Sequence, residues 1–332
     1  MNIATTGIIM SKTIIVTGGA GFIGSNIVKR LNELGENRIL IVDNLGNTDK
    51  WRNLAGLDFE DYVQKDVFLE RLSGGAFGGK ISAIFHMGAR TSTTESDMEY
   101  LMKNNYEYTK ILALWAVKEG VRFIYASSAA TYGDGSTGFS DDHSLLTRLR
   151  PLNAYGYSKH LFDLWALKKG LLDKIVGLKY FNVFGPNEWH KGEMRSMVLK
   201  AYEQIKKDGE VRLFKAYHKD YGDGGQLRDF IYVRDAVEMT LYFLEHPEIN
   251  GIFNIGTGKP RTWNDLANAV FTAIGKRPSI EYIDMSESIR GKYQYFTKAD
   301  ISKLRLSGYE NETTILEEAV REYINTITCK GV

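Results

Sequence analysis

TIIVTGGAGFIG, residues 13–24, is the stretch of this sequence that decides the fold. Its first half is rich in Ile and Val, as expected of a strand buried on both faces in a parallel sheet. Glycines follow at positions 18, 19, 21 and 24, and an apolar-periodic helix begins directly after them. Such glycines permit a tight turn and let the backbone approach a pyrophosphate, with the helix N-terminus facing the phosphates. The stretch therefore predicts a dinucleotide site, the alternative being an ordinary strand–turn–helix unit.

An acidic residue follows these glycines at the expected distance. Residues 38–43 (RILIVD) read as a second strand that ends in Asp43, where a carboxylate can bind the adenosine ribose hydroxyls. Asp43 favours NAD, whereas Lys50 or Arg52 in the polar loop that opens with Asn44 could neutralise the 2′-phosphate of NADP. The alternative for Lys50 is a solvated loop lysine, so NAD and NADP both stay open.

The composition excludes several classes of protein. The 332 residues suffice for a large core and two lobes, and 42 Lys and Arg nearly cancel 41 Asp and Glu, which gives no electrostatic case for binding nucleic acid or an anionic membrane. The single cysteine, Cys329, excludes an internal disulfide framework and a cysteine-based metal site, and we expect no metal. Residues 1–11 lack the features of a signal peptide and read as a short leader, so we expect a cytoplasmic protein.

Strand and helix patterns alternate along the chain. Further strands are expected at 61–66, 81–87, 121–126 and 175–180, and a helix over about 99–119 carries Asn104 near its start. His86 lies inside an apolar run and is expected to pack in its strand rather than act as a catalyst. This alternation predicts an α/β fold with a doubly wound parallel (Rossmann) sheet, whose ligands collect at the carboxyl ends of the strands.

The remaining segments are expected to close a smaller lobe. We expect helices at 194–208, 235–245 and from 262, strands at 211–214 and 251–255, and a glycine- and aspartate-rich loop at 216–226. Residues 256–260 (GTGKP) read as a turn into a helix cap rather than as a phosphate loop. The predicted division is a dinucleotide-binding domain of residues 12–184 and 228–258 and a smaller α/β substrate-binding lobe of residues 185–227 and 259–332.

Two further features carry the predicted chemistry. Ser128 lies in the serine-rich exit of the fifth strand, where its hydroxyl can bind a substrate oxygen. Tyr155 and Lys159 lie four residues apart on one helical face, and a nearby ammonium is expected to lower the pKa of Tyr155 from about 10 toward the working pH. Such a base can take a proton from a carbinol while a hydride leaves to nicotinamide. Tyr106/Lys110 and Tyr202/Lys206 share the spacing and are expected to be helix-surface pairs.

These motifs together resemble the extended short-chain dehydrogenase/reductase superfamily, whose members act largely on nucleotide-linked sugars. The resemblance rests on TGGAGFIG, on YASSAATYG at 125–133 and on YGYSK at 155–159. Within the superfamily, the chain is similar to the ADP-L-glycero-D-manno-heptose 6-epimerase family. The segments that carry this similarity are RPLNAYGYSKHLFD (150–163), KYFNVFGP (179–186), HKG (190–192), RDFIYV (228–233) and GKYQYFT (291–297). The loop at 216–226 is longer than the usual family pattern.

The resemblance implies an enzyme that inverts C6″ of ADP-D-glycero-β-D-manno-heptose by transient oxidation to a ketone, supplying heptose for the lipopolysaccharide core. It implies a tightly bound NADP or NAD and a homo-oligomer, pentameric in related enzymes. A UDP-hexose 4-epimerase and a 4,6-dehydratase share the fold, but dehydratases carry an acid pair where this chain has Ala129 and Ala130. A non-catalytic cofactor-sensing protein is the alternative from another class.

The resemblance also assigns roles to individual residues. Lys191, which could otherwise be an exposed loop lysine, would be a second acid/base opposite Tyr155. Arg228 would bind the substrate diphosphate through its planar fork of donors, the alternative being an ion pair with Asp229 or another carboxylate. The expected cofactor contacts are Gly18, Gly21, Phe22, Ile23, Gly24, Asp43, Asn44, Lys50, Lys65, Met87, Gly88, Ala89, Arg90, Thr91, Asn104, Lys159, Val183 and Lys191. The expected substrate contacts are Ser128, Asn182, Glu193, Lys200, Phe214, Arg228 and Tyr293.

Overall fold

The fold was analysed in a computed structural model that describes residues 12–290 and 293–329. The predicted leader (residues 1–11) and the first two residues of the GKYQYFT segment lie outside the described residues. The strands are β1 (Thr13–Thr17), β2 (Ile39–Asp43), β3 (Asp61–Gln64), β4 (Ile81–His86), β5 (Arg122–Ser128), β6 (Val176–Tyr180), β7 (Asn182–Phe184), β8 (Val211–Phe214), β9 (Leu227–Arg228), β10 (Phe230–Tyr232), β11 (Gly251–Ile255), β12 (Arg261–Thr262) and β13 (Ile280–Ile283).

The helices alternate with these strands through most of the chain. They are α1 (Phe22–Glu33), α2 (Lys65–Ser73), α3 (Met98–Leu101), α4 (Tyr108–Glu119), α5 (Ala154–Lys168), α6 (Met197–Lys207), α7 (Val233–Glu245), α8 (Trp263–Ala273), α9 (Glu287–Arg290), α10 (Ser302–Leu306) and α11 (Leu316–Cys329). In the described part of the chain, none of them combines the length and the apolarity needed to cross a bilayer.

A parallel sheet of seven strands forms the centre of the molecule, in the order β11-β6-β5-β4-β1-β2-β3. From β1 the chain moves outward through β2 and β3 and then returns to the other side of β1 as β4. The strand order therefore reverses between β1 and β4, where open α/β sheets bind ligands at the carboxyl ends of their strands. The predicted doubly wound α/β fold is confirmed.

Apolar side chains cover both faces of this sheet, as the near-continuous hydrophobic runs of the strands require. One core joins β1 and β2 to α1, α6, α7, α8 and α11, and a second joins β4 and β5 to α2, α4 and α5. His86 is buried in β4, where its ring nitrogens contact the hydroxyls of Thr17 at 2.6 Å and Thr109 at 2.9 Å. It is a packed strand histidine, as expected.

Several element boundaries differ from the prediction. The third strand ends at Gln64, because the Gln64 side chain accepts hydrogen bonds from the backbone N–H groups of Asp66 and Val67 and so begins α2 at Lys65. The sixth helix begins at Met197 rather than Met194, since the Ser196 hydroxyl caps it. The fifth strand continues through Ser128 rather than ending at Ala126.

The helix expected over 99–119 contains a π-helical segment, Met102–Glu107, between α3 and α4. This segment carries Asn104 and the buried Asn105. The Asn105 side-chain amide donates to the Arg90 carbonyl and to the Ser158 hydroxyl, and its oxygen accepts from the Arg90 N–H. π-helical turns of this kind occur frequently at functional sites.

Three two-stranded sheets lie outside the central sheet: β7 with β10, β9 with β12, and β8 with β13. Of these strands, only β8 was predicted from the sequence, and β7, β9, β10 and β12 were not, since runs of two or three residues carry no readable period. Tyr202 also differs from expectation. It is 9% exposed and packs in the first core, so the prediction that Tyr202/Lys206 is a surface pair is wrong for its tyrosine.

Candidate active site

The glycine turn lies where β1 leaves the sheet, beside the exit of β4. Gly18 has a φ of +67°, which side-chain-bearing residues rarely adopt, and a Cβ at Gly18 would lie 2.6 Å from the backbone nitrogen of Gly88. A Cβ at Gly24 would lie 2.1 Å from the Gly18 carbonyl oxygen. Helix α1 begins after Gly21 without a side-chain cap, so its positive end faces a cradle of backbone. These features fit the diphosphate of a dinucleotide.

The acid at the end of β2 has partners of its own. The Asp43 carboxylate accepts hydrogen bonds from Lys50 Nζ at 2.5 Å, from the Ala20 N–H at 2.9 Å and from the Asn44 N–H at 2.6 Å. Lys50 is therefore not the solvated loop lysine that the sequence left open. The Lys50 ammonium lies beside the Asp43 carboxylate, which we expect to bind the adenosine ribose.

The other expected cofactor residues lie around the same edge of the sheet. Phe22 and Ile23 are in the first turn of α1, Val183 is in β7, and the Lys65 ammonium contacts the Asn104 side-chain oxygen. The segment that follows β4 comprises Met87, Gly88, Ala89, Arg90 and Thr91. Arg90 pairs there with Glu95 at 3.0 Å, and Met87 Sδ accepts a hydrogen bond from Tyr180 at 3.6 Å.

A cavity of about 290 Å³ opens at the carboxyl ends of β5 and β6. Five of the ten expected substrate or catalytic residues line it: Ser128, Tyr155, Asn182, Arg228 and Tyr293. The structure thus brings together residues spread over half of the chain.

The side chains of Tyr155 and Ser128 both line this cavity. Burial raises the pKa of Tyr155, and interaction with the Ser128 hydroxyl opposes the rise. The expected lowering of the tyrosine pKa by Lys159 is not found here. The physical reason is that desolvation of the buried phenol is the largest effect on the Tyr155 pKa, and that the Lys159 ammonium donates instead to the Ala126 carbonyl at 2.8 Å. Lys159 is itself buried, 4% exposed, which lowers the pKa of Lys159 to about 8.

Arg228 lies 6% exposed in the wall of the cavity. It donates to the carbonyls of Leu227, at 2.9 Å, and Gln294, and its guanidinium lies over the Tyr293 ring at 5.1 Å. No carboxylate of the described residues pairs with it. A buried guanidinium without an ion pair, facing a cavity, suits an anionic ligand.

Asp229 points elsewhere, so the alternative of an Arg228–Asp229 pair is wrong. Its carboxylate accepts the N–H groups of Thr257 at 2.7 Å, Gly258 at 2.8 Å and Ala299 at 2.8 Å. The N–H groups of the 256–260 turn are therefore already bound within the protein. This confirms that the turn is not a phosphate loop, and a capping box at Thr262 begins α8 directly after it.

The other five expected substrate or catalytic residues do not line the cavity: Lys159, Lys191, Glu193, Lys200 and Phe214. Lys191 Nζ lies over the Phe22 ring at 5.1 Å, and burial lowers the pKa of Lys191 while Glu188 opposes that shift. Glu193 is exposed and binds Lys200, whose ammonium donates to the Glu193 carbonyl at 2.6 Å. Phe214 packs edge-on against Tyr293, with ring centroids 6.2 Å apart.

Other residues at the site were not predicted from the sequence. Thr93, Asn153 and Gln294 line the cavity, and Gln294 was recognisable within the YQYFT segment beside Tyr293. Asn153 was detectable as the side chain that caps α5, where it accepts the Gly156 N–H at 2.8 Å. The buried Glu188 carboxylate accepts hydrogen bonds from Ser196 and Tyr323 and so anchors the segment that carries Lys191. No local pattern in the sequence marks Glu188.

Known proteins are similar to this chain in both sequence and fold. Residues 14–256 match the family model described as the NAD dependent epimerase/dehydratase family. The chain is 56% identical over 310 residues to the ADP-L-glycero-D-manno-heptose-6-epimerase of Nitratidesulfovibrio vulgaris, which covers 93% of this chain and 96% of that protein.

Two solved structures extend the comparison. The Helicobacter pylori ADP-L-glycero-D-manno-heptose-6-epimerase superposes with a TM-score of 0.80 at 28% identity, over 96% of this chain and 97% of that chain. The Thermus thermophilus UDP-glucose 4-epimerase, solved in complex with NAD, superposes with a TM-score of 0.73 at 26% identity, over 95% and 99% of the two chains.

Proposed function

Because this chain belongs to the NAD dependent epimerase/dehydratase family, we propose that it is an NAD(P)-dependent enzyme that converts ADP-D-glycero-β-D-manno-heptose to ADP-L-glycero-β-D-manno-heptose by inverting C6″. The 56% identical relative of that name supports the substrate. The observation that carries the proposal is the cavity that Ser128, Tyr155 and Arg228 line together at the carboxyl ends of β5 and β6. The product would supply heptose for the lipopolysaccharide core.

The glycine turn, Asp43 and the segment that follows β4 would hold the cofactor. The bound nicotinamide would supply a hydride acceptor for the sugar carbon and return the same hydride later. Lys50 beside Asp43 offsets the carboxylate charge, which supports NADP as the tightly held form, with NAD as the alternative. Mass analysis of the small molecules released on denaturation would identify the dinucleotide.

Tyr155 would take the proton of the C6″ hydroxyl as that carbon is oxidised and give it back when the carbon is reduced. Ser128 would donate a hydrogen bond to the same oxygen, and Lys159 would stabilise the phenolate. Lys191, whose pKa burial lowers, would serve as the acid/base for the turned-over ketone. This role requires its ammonium to leave Phe22 and reach the cavity, and the segment that carries it has a kink at Gly192.

Arg228 would bind the diphosphate of the sugar nucleotide, with Tyr293 packed against its guanidinium and Asn182 in the lining of the same cavity. Charge and planarity both favour this ligand, because a guanidinium binds two phosphate oxygens at once. Glu193, Lys200 and Phe214 would contact the substrate only at the edge of the site.

Replacement of the proposed acid/base groups tests the mechanism. Tyr155→Phe and Lys191→Met, made separately, should each reduce the kcat for ADP-heptose epimerisation by about 10²–10⁴-fold while the protein keeps its dinucleotide. Tyr157→Phe is the matched control, since Tyr157 is 47% exposed on the same helix. Parental rates in both active-site variants would refute the roles assigned here.

A UDP-hexose 4-epimerase is the second candidate, favoured by the superposition on the Thermus thermophilus enzyme. Turnover of UDP-galactose but not of ADP-heptose would select it. A homo-oligomer, a pentamer by family resemblance, a cytoplasmic location and the division into a dinucleotide-binding domain and a substrate lobe also remain part of this proposal.

A further inference from the structure

A buried ion pair contacts β5 and β6 next to the residues of these strands that line the cavity, Ser128 and Tyr180. The Asp163 carboxylate of α5 accepts a hydrogen bond from Lys179 Nζ of β6 at 2.7 Å, and both side chains are 0% exposed. The same carboxylate accepts the hydroxyls of Tyr125 at 2.9 Å and Ser127 at 2.8 Å, both on β5. Lys179 also donates to the Thr131 hydroxyl at 2.6 Å. Such a pair is costly to bury, so its position calls for an explanation.

The pair contacts the backbone that positions the reactive groups. Side chains alternate along β5, so Ser127 points to Asp163 while the next residue, Ser128, lines the cavity. The residue before them, Ala126, offers the carbonyl that accepts the Lys159 ammonium at 2.8 Å. Asp163 follows Lys159 by four residues and therefore lies on the same face of α5.

Asp163 is also the negative charge that faces Lys159. Burial lowers the pKa of Lys159 to about 8, and Asp163 is the group that opposes this shift. The neighbouring imidazoles stay neutral near pH 7, because burial holds the pKa of His86 well below its usual value and lowers that of His160 to about 4. The titratable or charged groups that face this cluster are His86 of β4, Tyr125 of β5, Tyr132 and His143 after β5, Lys179 of β6, Arg150 before α5, and Lys159 and His160 within α5.

We propose that Asp163 and Lys179 are a positioning pair for this active site: the carboxylate ties the end of β5 to α5 and β6, and it stabilises the ammonium of Lys159. This inference rests on the proposed function, because it concerns the same site. Neither residue touches the substrate. Their effect reaches the reaction through the placement of Ser128 and through the charge of Lys159.

Removing the carboxylate should therefore change the titration of Lys159. Asp163→Asn keeps the size of the side chain but leaves two buried ammonium groups with no negative partner, so Lys159 should lose its proton at a lower pH. Asp163→Asn/Lys179→Met removes both charges of the pair. It separates a general structural role of the ion pair from the specific role toward Lys159. Tyr125→Phe is the matched control, because it removes a hydrogen bond to the same carboxylate but no charge.

The titration is measured directly by NMR on holoenzyme labelled with ¹³C at the lysine ε-carbons, with the Lys159 signal assigned from Lys159→Met. Its midpoint should fall by about one pH unit in Asp163→Asn, should fall by less in the double variant because that variant also loses the positive charge of Lys179, and should stay at the parent value in Tyr125→Phe. The alkaline limb of kcat should move with it, which corresponds to about a tenfold loss of kcat at pH 9. KM for the sugar nucleotide should stay unchanged.

The double variant distinguishes a general structural role of the ion pair from its specific role toward Lys159. We expect it to recover part of the melting temperature that Asp163→Asn loses, without recovering the parent Lys159 midpoint. If Asp163→Asn does not fold, the double variant alone provides the test. A parental midpoint and a parental kcat limb in the double variant would overturn the inference. The NMR titration uses no substrate, so the inference can fail or stand whether or not ADP-heptose proves to be the substrate.

Discussion

At the scale of single residues, Tyr155 is the group on which the proposed chemistry depends. Burial alone would keep its phenol protonated, and the neighbouring hydroxyl of Ser128 is what opposes that effect in this structure. The serine therefore has two tasks: it binds the reacting oxygen and it makes the base easier to ionise.

The effect of Ser128 on the ionisation of Tyr155 should be visible as a change in the pH dependence of kcat when Ser128 is replaced. In Ser128→Ala the pKa of Tyr155 rises further, and a base that must be deprotonated then works only at higher pH. The acidic limb of kcat should move to higher pH by about one unit, the equivalent of one hydrogen bond, with a kcat loss of about tenfold below that limb. A pH–rate profile checks this. A limb that stays in place would show that Ser128 does not tune the tyrosine.

Arg228 provides a second prediction at this scale. Arg228→Lys keeps the charge but loses the planar fork, so KM for the ADP-sugar should rise by about 10- to 100-fold with a smaller change in kcat. Steady-state kinetics measure both parameters. Arg212→Lys is the control, because Arg212 is exposed on β8. An unchanged KM in Arg228→Lys would mean that the diphosphate binds elsewhere.

At the scale of elements, the turn between β1 and α1 depends on close backbone approach. Gly18→Ala would combine a positive φ with a Cβ only 2.6 Å from the Gly88 nitrogen. We expect a loss of unfolding free energy of about 2 kcal/mol or more and loss of the retained dinucleotide. Gly35→Ala is the control: its φ is +84°, but a Cβ there meets nothing within 4 Å.

The two variants are compared by thermal unfolding and by the dinucleotide released on denaturation. Gly35→Ala should cost about 1 kcal/mol and keep its dinucleotide. If Gly18→Ala retains the dinucleotide as well as Gly35→Ala does, then the glycine turn is not the phosphate cradle.

Elements with a strong local signal were predictable from the sequence. Residues 13–24 predict a strand followed by a glycine turn, and the apolar runs of β4, β6 and β11 predict buried strands. These predictions are clear because a strand that is buried on both faces must be continuously hydrophobic. The π-helical turn at 102–107 and the short strands β7 and β10 were not predictable. Their hydrogen bonds join partners far apart in the chain, as in the contacts of Asn105 with Arg90 and Ser158.

At the scale of the whole molecule, the cavity joins residues from Thr93 to Thr297. The residues at the centre of the cavity were predictable from the sequence. Ser128 and Asn182 lie at or just after the ends of recognisable strands, and Tyr155 lies at the start of a recognisable helix. The position of Lys191 over Phe22 and the partners of Asp229 were not accessible from the sequence, because each depends on groups from a distant segment of the chain.

The central claim is that one hydrogen leaves C6″ and returns to the same carbon without exchanging with water. The most direct test is to convert ADP-D-glycero-β-D-manno-heptose with the purified protein in D₂O and to analyse C6″ of the product by NMR. We expect epimerisation with protium retained at C6″ and no deuterium incorporated there. Incorporation of solvent deuterium at C6″ would contradict it, because the carbon would then exchange its hydrogen as a proton.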